Sequence, residues 1–265
     1  MSTESSPSIP LYASLKVALL EDQSCLHLTL AMPKGNVLDG TMIADLAAAV
    51  EWVETLPQVR SILVEGEGRH FSFGASVEEH RPAQVEEMLK QFHRLFRLLA
   101  GSRRVLLAAV RGQCLGGGLE LASFCHRVVA SPDAMLGNPE VKLGVFAPAA
   151  SAVLPQRVGQ AHADWLLLSG RSITAETALS WGLVDALADQ PTEALLQWHR
   201  ENLVPHSASS LRHVVRAARR TYYQQVFSTL DALEQDYLEA LMHTHDAVEG
   251  ITAFLEKRSP QWTHH

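Results

Sequence analysis

Hydrophobic residues alternate with others at Leu15, Val17 and Leu19, and again at Leu26, Leu28 and Leu30, the period-two signature of half-buried strands. The intervening Glu21-Asp22-Gln23-Ser24 suits a hairpin, so two neighbouring strands are expected first. Past Pro33 and Gly35 the period lengthens. Ile43, Leu46, Ala47, Val50 and Val53 recur at the three-to-four spacing of a helix, with Asp39 or Thr41 in place to cap it. Ile62-Leu63-Val64 predicts a strand running into a glycine-rich turn, and residues 84–100 predict an amphipathic helix ending before Gly101. Residues 105–110 form a wholly apolar run, expected as a buried strand, after which the chain drops into Gly116-Gly117-Gly118 and a short apolar helix. Arg127-Val128-Val129-Ala130 predicts another strand. Gly170 and Gly182 punctuate two later helices, the second capped by Thr174, and from Ser207 onward the pattern is all helix.

The recurring strand, strand, helix rhythm predicts an α/β core of stacked units, with no short-period solenoid repeat. Residues 1–13 read as a loose polar tail, 14–206 as the core and 207–265 as a helical C-terminal region. A chain of 265 residues has room for a sizeable core. Its 22 Lys+Arg against 29 Asp+Glu give a net charge of -7, which argues against a dedicated binder of nucleic acid or anionic membrane. Arg212, Arg216, Arg219, Arg220, Tyr222 and Tyr223 fit a solvated helix face better than a nucleic-acid patch. No uncharged apolar stretch reaches the roughly 18 residues of a membrane span. The opening MSTESSPSIP resembles neither a secretory signal nor a transit peptide, so a cytoplasmic protein is expected. Cys25, Cys114 and Cys125 have no metal spacing and read as reduced, mostly buried thiols.

Candidate chemistry concentrates in three segments. In Gly112–Ala122, three consecutive glycines at a strand-to-helix turn bring bare backbone N–H groups to the positive end of a helix, a ready oxyanion or phosphate site. Glu120 follows Gly117 by three residues, about one turn along and hence on the same side. In Asn138-Pro139-Glu140 the proline stiffens the loop that carries a second carboxylate. Two carboxylates converging on one water raise each other's pKa, which leaves one as acid and one as base near neutrality. The segment 68–80 contains a small-residue turn able to supply a further oxyanion donor. The histidines His70, His80, His243 and His245, with Asp246, have no recognised metal or catalytic spacing and read as structural, so no metal site is expected. Motifs for serine hydrolases, P-loop nucleotide binding and dinucleotide binding are missing.

Together these segments resemble the enoyl-CoA hydratase/isomerase (crotonase) family over nearly the whole chain, from about Leu15 to Trp262. The likeness lies in His70-Phe71-Ser72-Phe73-Gly74-Ala75, in Leu115-Gly116-Gly117-Gly118-Leu119-Glu120-Leu121-Ala122 and in Asn138-Pro139-Glu140-Val141-Lys142-Leu143-Gly144. Downstream, residues 168–184 resemble the family's helix pair and residues 249–260 its C-terminal helix. The resemblance implies a spiral of strand-strand-helix units, homotrimers or dimers of trimers, and action on acyl-CoA thioesters without metal or further cofactor, coenzyme A being part of the substrate. It implies Glu120 and Glu140 as the catalytic pair and the backbone N–H groups of Phe73 and Gly117 as the oxyanion hole. Substrate or CoA contacts are implied at Lys34, Ala75, Ser76, Val77, Gly116, Phe146 and Lys257.

The departures are as informative as the matches. Phe73 stands where a small residue is common, Ser76 where Asp is common, and Val145-Phe146-Ala147-Pro148-Ala149-Ala150-Ser151 replaces a glycine-rich run. This combination resembles the branch of the family that hydrates a cyclic dienoyl thioester in anaerobic aromatic breakdown, with Phe73 and Phe146 flattening the pocket around a ring or simply filling the core. A general hydratase or isomerase of linear enoyl-CoA would share every glutamate and glycine, and a non-catalytic acyl-CoA-binding homologue would share the fold.

Overall fold

Leu15–Leu20 (β1) and Cys25–Leu30 (β2) pair antiparallel as the alternation predicts, with Leu26, Leu28 and Leu30 turned fully inward. A computed structural model describes residues 8–265; the predicted tail falls partly outside these residues, and residues 8–13 carry no regular element. Gly40–Val53 (α1) is capped by Asp39, whose carboxylate accepts the N–H of Met42 at 2.9 Å. Ser61–Gly66 (β3), Val85–Ser102 (α2) and Val105–Val110 (β4) follow. The second helix outruns its expected end: Gly101 lies inside its last turn, and Arg103 takes the left-handed C-terminal conformation at φ 54°. Gln113–Leu115 (β5), Gly117–Phe124 (α3), Arg127–Ala130 (β6) and Met135–Gly137 (β7) complete the segment around the glycine triplet.

Two sheets result. The larger has the order β1-β2-β3-β4-β6-β9, with β9 at Ala186–Leu187, and is parallel from β2 onward; the smaller has the order β5-β7-β8, with β8 at Ser172–Thr174 antiparallel to β7. Single parallel bridges, Leu38 with Ala75 and Ser72 with Cys114, lead stepwise to the smaller sheet. Each turn of chain therefore gives a long strand to one sheet and a short extended piece to the other before a helix returns it. That is the expected strand-strand-helix stacking, and the parallel crossovers between β2, β3, β4 and β6 require those helices.

Pro148–Val158 (α4), Gln160–Ser169 (α5), Ser172–Thr174 (β8), Ala175–Ser180 (α6), Ala186–Leu187 (β9) and Pro191–Asn202 (α7) close the core. α4 escapes the periodicity because Ala149, Ala150, Ala152, Val153 and Leu154 are buried in almost unbroken succession, and its polar Gln156 and Arg157 come only at its end. Gly170 and Thr174 do end α5 and cap α6. Ser207 caps Ala208–Ala218 (α8), followed by Arg220–Glu239 (α9) and His245–Leu255 (α10). Val226 and Leu230 of α9 share one buried cluster with α1, α2, α3 and α4, so the C-terminal helices are packed into the core.

Candidate active site

The glycine triplet does structural work before any chemical work. Gly116 has φ +50°, and a side chain there would reach within 2.7 Å of Glu140 Oε1. A Cβ on Gly118 would lie 2.7 Å from Ser72 Cβ, and one on Gly117 would lie 3.1 Å from the backbone N of Ala75. Three strands of backbone thus meet where only glycine fits. Because α3 starts at Gly117, its N–H belongs to the first helical turn and has no intrahelical acceptor.

The facing donor comes from the turn after β3, and here the structure corrects the sequence reading. The N–H of Phe73 is already committed to the carbonyl of Gly35 at 2.9 Å. Gly74, at φ +98°, then turns the chain. Its carbonyl accepts from Leu38 and the N–H of Ser76 donates to Leu38, so the peptide N–H of Ala75 between them points the other way, to the side of Gly117. Among the described residues it has no acceptor. The free pair of donors is therefore Ala75 and Gly117. Phe73 contributes its ring, which packs over Gly35 and meets His70 edge-on at 5.0 Å.

Both glutamates lie beside these donors. Glu120 on α3 is 5% exposed, and its Oε1 accepts the N–H of Ala150 from the first turn of α4 at 2.7 Å. Glu140 opens a 3-10 turn, Glu140–Leu143, and its Oε2 is buried without a partner. Burial pushes the Glu120 carboxyl well above the usual carboxylate range; the charge of Glu140 adds to this, and the N–H groups of Ala150 and Ala149 offset it. Burial likewise raises Glu140, against the opposing effect of its own backbone N–H and of Asn138. Two neighbouring carboxyls raised in this way resist full ionisation near neutrality.

They share a cavity of about 440 Å³. Phe73, Ala75, Val77, Gly116, Gly117, Glu120, Glu140 and Phe146 all line it, as expected. Phe92, Met88, Leu89 and Val145 make the wall mostly apolar. Three expected contacts lie elsewhere. Lys34 sits on a separate shelf with Gly35, Asn36 and Arg69. Ser76 is held by Leu38, and its carbonyl accepts from His80 Nδ1 at 2.7 Å. Lys257 follows the end of α10 and does not line the cavity. The cations on the lining are Lys142 and Arg258, the latter tied to Glu249 and Glu256. His80, set aside as structural, also lines the cavity, with burial keeping its imidazole neutral. Among the described residues no cluster of His, Cys, Asp and Glu is arranged to hold a metal ion, and no helix is long and apolar enough to cross a membrane.

Comparison with known proteins places the chain among acyl-CoA-handling relatives. The enoyl-CoA hydratase/isomerase family profile matches residues 21–265. The cyclohexa-1,5-dienecarbonyl-CoA hydratase of Thauera aromatica is 51% identical over 262 residues, covering 99% of each chain. A probable enoyl-CoA hydratase of Bacillus subtilis (strain 168) is 34% identical over 253 residues, 93% of this chain and 98% of that one. Among solved structures, an enoyl-CoA hydratase from Mycobacterium avium subsp. paratuberculosis K-10 superposes with a TM-score of 0.83 at 29% identity, covering 96% of this chain and all of the other.

Proposed function

The chain belongs to the enoyl-CoA hydratase/isomerase family, and we propose that it is the hydro-lyase that adds water to cyclohexa-1,5-diene-1-carbonyl-CoA, giving 6-hydroxycyclohex-1-ene-1-carbonyl-CoA in benzoyl-CoA breakdown. The observation that carries the chemistry is the pair of buried, pKa-raised carboxyls beside two unpaired backbone N–H groups. The choice of substrate rests on the 51% full-length identity to the Thauera enzyme.

In this reading the thioester carbonyl sits between the N–H groups of Ala75 and Gly117, while Glu120 and Glu140 hold the water. The water oxygen bonds to ring carbon C2, and the C1=C2 pair moves toward the thioester as a dienolate extending over C6 and C5. The two donors stabilise the oxyanion, an effect worth about 10² to 10³ in turnover per donor. The water's remaining proton stays on the carboxyl pair, and one carboxyl proton returns to C5, leaving C1=C6. Renumbering the ring gives the 6-hydroxy product. Hydration thus places oxygen and hydrogen on opposite ring carbons, which asks for an apolar pocket wide enough for a ring, and Phe146, Phe92, Met88 and Leu89 line the cavity. No cofactor beyond the substrate's own coenzyme A enters the scheme. The CoA arm leaves past Lys142, a cation on the cavity lining.

The test is a substrate panel on the purified protein, following gain of one water by mass. Turnover of the cyclic dienoyl thioester should exceed that of crotonyl-CoA. Faster turnover of the linear ester would assign the chain to general enoyl-CoA hydration, and no turnover of any acyl-CoA would mark a binding homologue.

A further inference from the structure

Ser72 is 0% exposed and does not line the cavity, yet all three of its polar groups are engaged around the oxyanion turn. Its backbone N–H donates to the carbonyl of Gln113 at 3.1 Å, and its carbonyl accepts the N–H of Leu115 at 3.0 Å, so it pairs with the strand that runs into Gly116 and Gly117. Its hydroxyl donates to the carbonyl of Asn36 at 2.8 Å, a group that can only accept, and itself accepts the N–H of Gly74 at 3.0 Å. Gly74 is thereby held at both ends, by Ser72 at its N–H and by the N–H of Leu38 at its carbonyl, 2.9 Å away. The peptide that carries this carbonyl also carries the N–H of Ala75. Asn36 is a firm anchor: it is buried, and its side-chain amide donates to the carbonyls of Glu67, His70 and Phe71.

The spacing to the second donor is set at the same residue. A Cβ on Gly118 would lie 2.7 Å from Ser72 Cβ, and one on Gly74 would lie 2.9 Å from the carbonyl oxygen of Leu115 and 3.3 Å from the backbone N of Gly117. Ser72 therefore packs against both the turn that presents Ala75 and the helix start that presents Gly117. We propose that Ser72 is a positioning residue: its hydroxyl, spanning Asn36 and Gly74, aims the Ala75 N–H at the thioester oxygen and fixes its distance from the Gly117 N–H. Without the hydroxyl, the buried N–H of Gly74 loses its acceptor, which a buried donor does not tolerate. The turn then rotates to satisfy it and carries the Ala75 peptide along, since a glycine at φ +98° has no side chain to resist. Beyond the donor the chain is fastened separately, by the Ser76 N–H to Leu38 and by His80 Nδ1 to the Ser76 carbonyl, so the movement falls on the Gly74 side. Ser72 itself meets no substrate and transfers no proton.

The proposal rests on the reading of Ala75 and Gly117 as oxyanion donors, and its test separates the two. The probe is benzoyl-CoA carrying 13C at the thioester carbonyl, a ring thioester whose aromatic ring takes up no water, read by isotope-edited infrared difference spectroscopy. Bound to the wild type, its carbonyl stretch should fall below the value in water. In Ser72→Ala that downshift should shrink, and kcat on the cyclic dienoyl thioester should drop about tenfold with KM nearly unchanged, short of the roughly 10² to 10³ of a donor lost outright. Ser72→Cys, whose thiol donates and accepts weakly, should fall between. An undiminished downshift in Ser72→Ala overturns the proposal, with or without a fall in kcat. No downshift in the bound wild type refutes the donor pair itself, and the role of Ser72 with it. A downshift that Ser72→Ala diminishes, in a protein that hydrates crotonyl-CoA faster than the cyclic thioester, leaves the positioning role standing and refutes the substrate.

Discussion

At the scale of single residues, the proposed acid–base pair is held in an environment that resists ionisation. Each is a carboxyl removed from water, and each would be easier to bury as an amide. A raised carboxyl pKa means that the folded state binds protons more tightly than the unfolded chain, so stability falls as pH rises from the ordinary value of 4.5 toward the raised values. At neutral pH the pair therefore costs stability. Glu120→Gln and Glu140→Gln should each lower turnover by at least about 10², the lower end of acid–base contributions. Each should also raise the melting temperature at pH 8 by about 2–4 °C per kcal/mol recovered, with a smaller gain at pH 5. Calorimetry at the two pH values together with turnover reads both effects. A variant that keeps wild-type activity, or that melts earlier at pH 8, would contradict the two-carboxylate account.

At the scale of elements, the site depends on turns whose backbone leaves no room for a side chain. Gly116→Ala combines a positive φ with a Cβ 2.7 Å from Glu140 Oε1. It should displace the carboxylate and cost about 10² or more in turnover, since misplacement by an ångström is worth that much. The circular dichroism spectrum should stay unchanged, because the clash is with one side chain; near-native turnover would show that Glu140 need not hold this position. This crowding also explains what could be read in advance. Three glycines before a helix carrying Glu120, and a proline stiffening the approach to Glu140, are local signals, and both residues line the cavity as expected. The oxyanion donor on the other turn was displaced by two residues, from Phe73 to Ala75, because direction along that turn is set by bonds to Gly35 and Leu38, far back in the chain. The hairpin, α1 and the cap of α6 were legible because alternation and capping are local, whereas α4, with an almost unbroken buried run from 148 to 154, has no period to read.

At the scale of the whole molecule, successive turns of the spiral bring β3's turn, α3 and the Glu140 loop to one side of the smaller sheet, so residues 75, 117, 120 and 140 share one cavity although they span many tens of positions. The same stacking leaves apolar side chains outside. Leu168 on α5 is 76% exposed, and Trp165 on α5 and Leu179 on α6 are about 40% exposed. Trp165 meets Trp181, which ends α6, edge-on at 5.6 Å, and this places α5 against the end of α6. Exposed apolar residues on neighbouring helices would suit a protein contact, and we propose that they form the contact of the trimers or paired trimers that the family resemblance implies. Light scattering on the eluting protein should give three or six times the protomer mass, and Leu168→Arg should lower it by burying a charge at the contact. A protomer mass at micromolar concentration would rule out the assembly. An unchanged multiple in Leu168→Arg would move the contact away from α5, and with it the reason for so much uncovered apolar surface there.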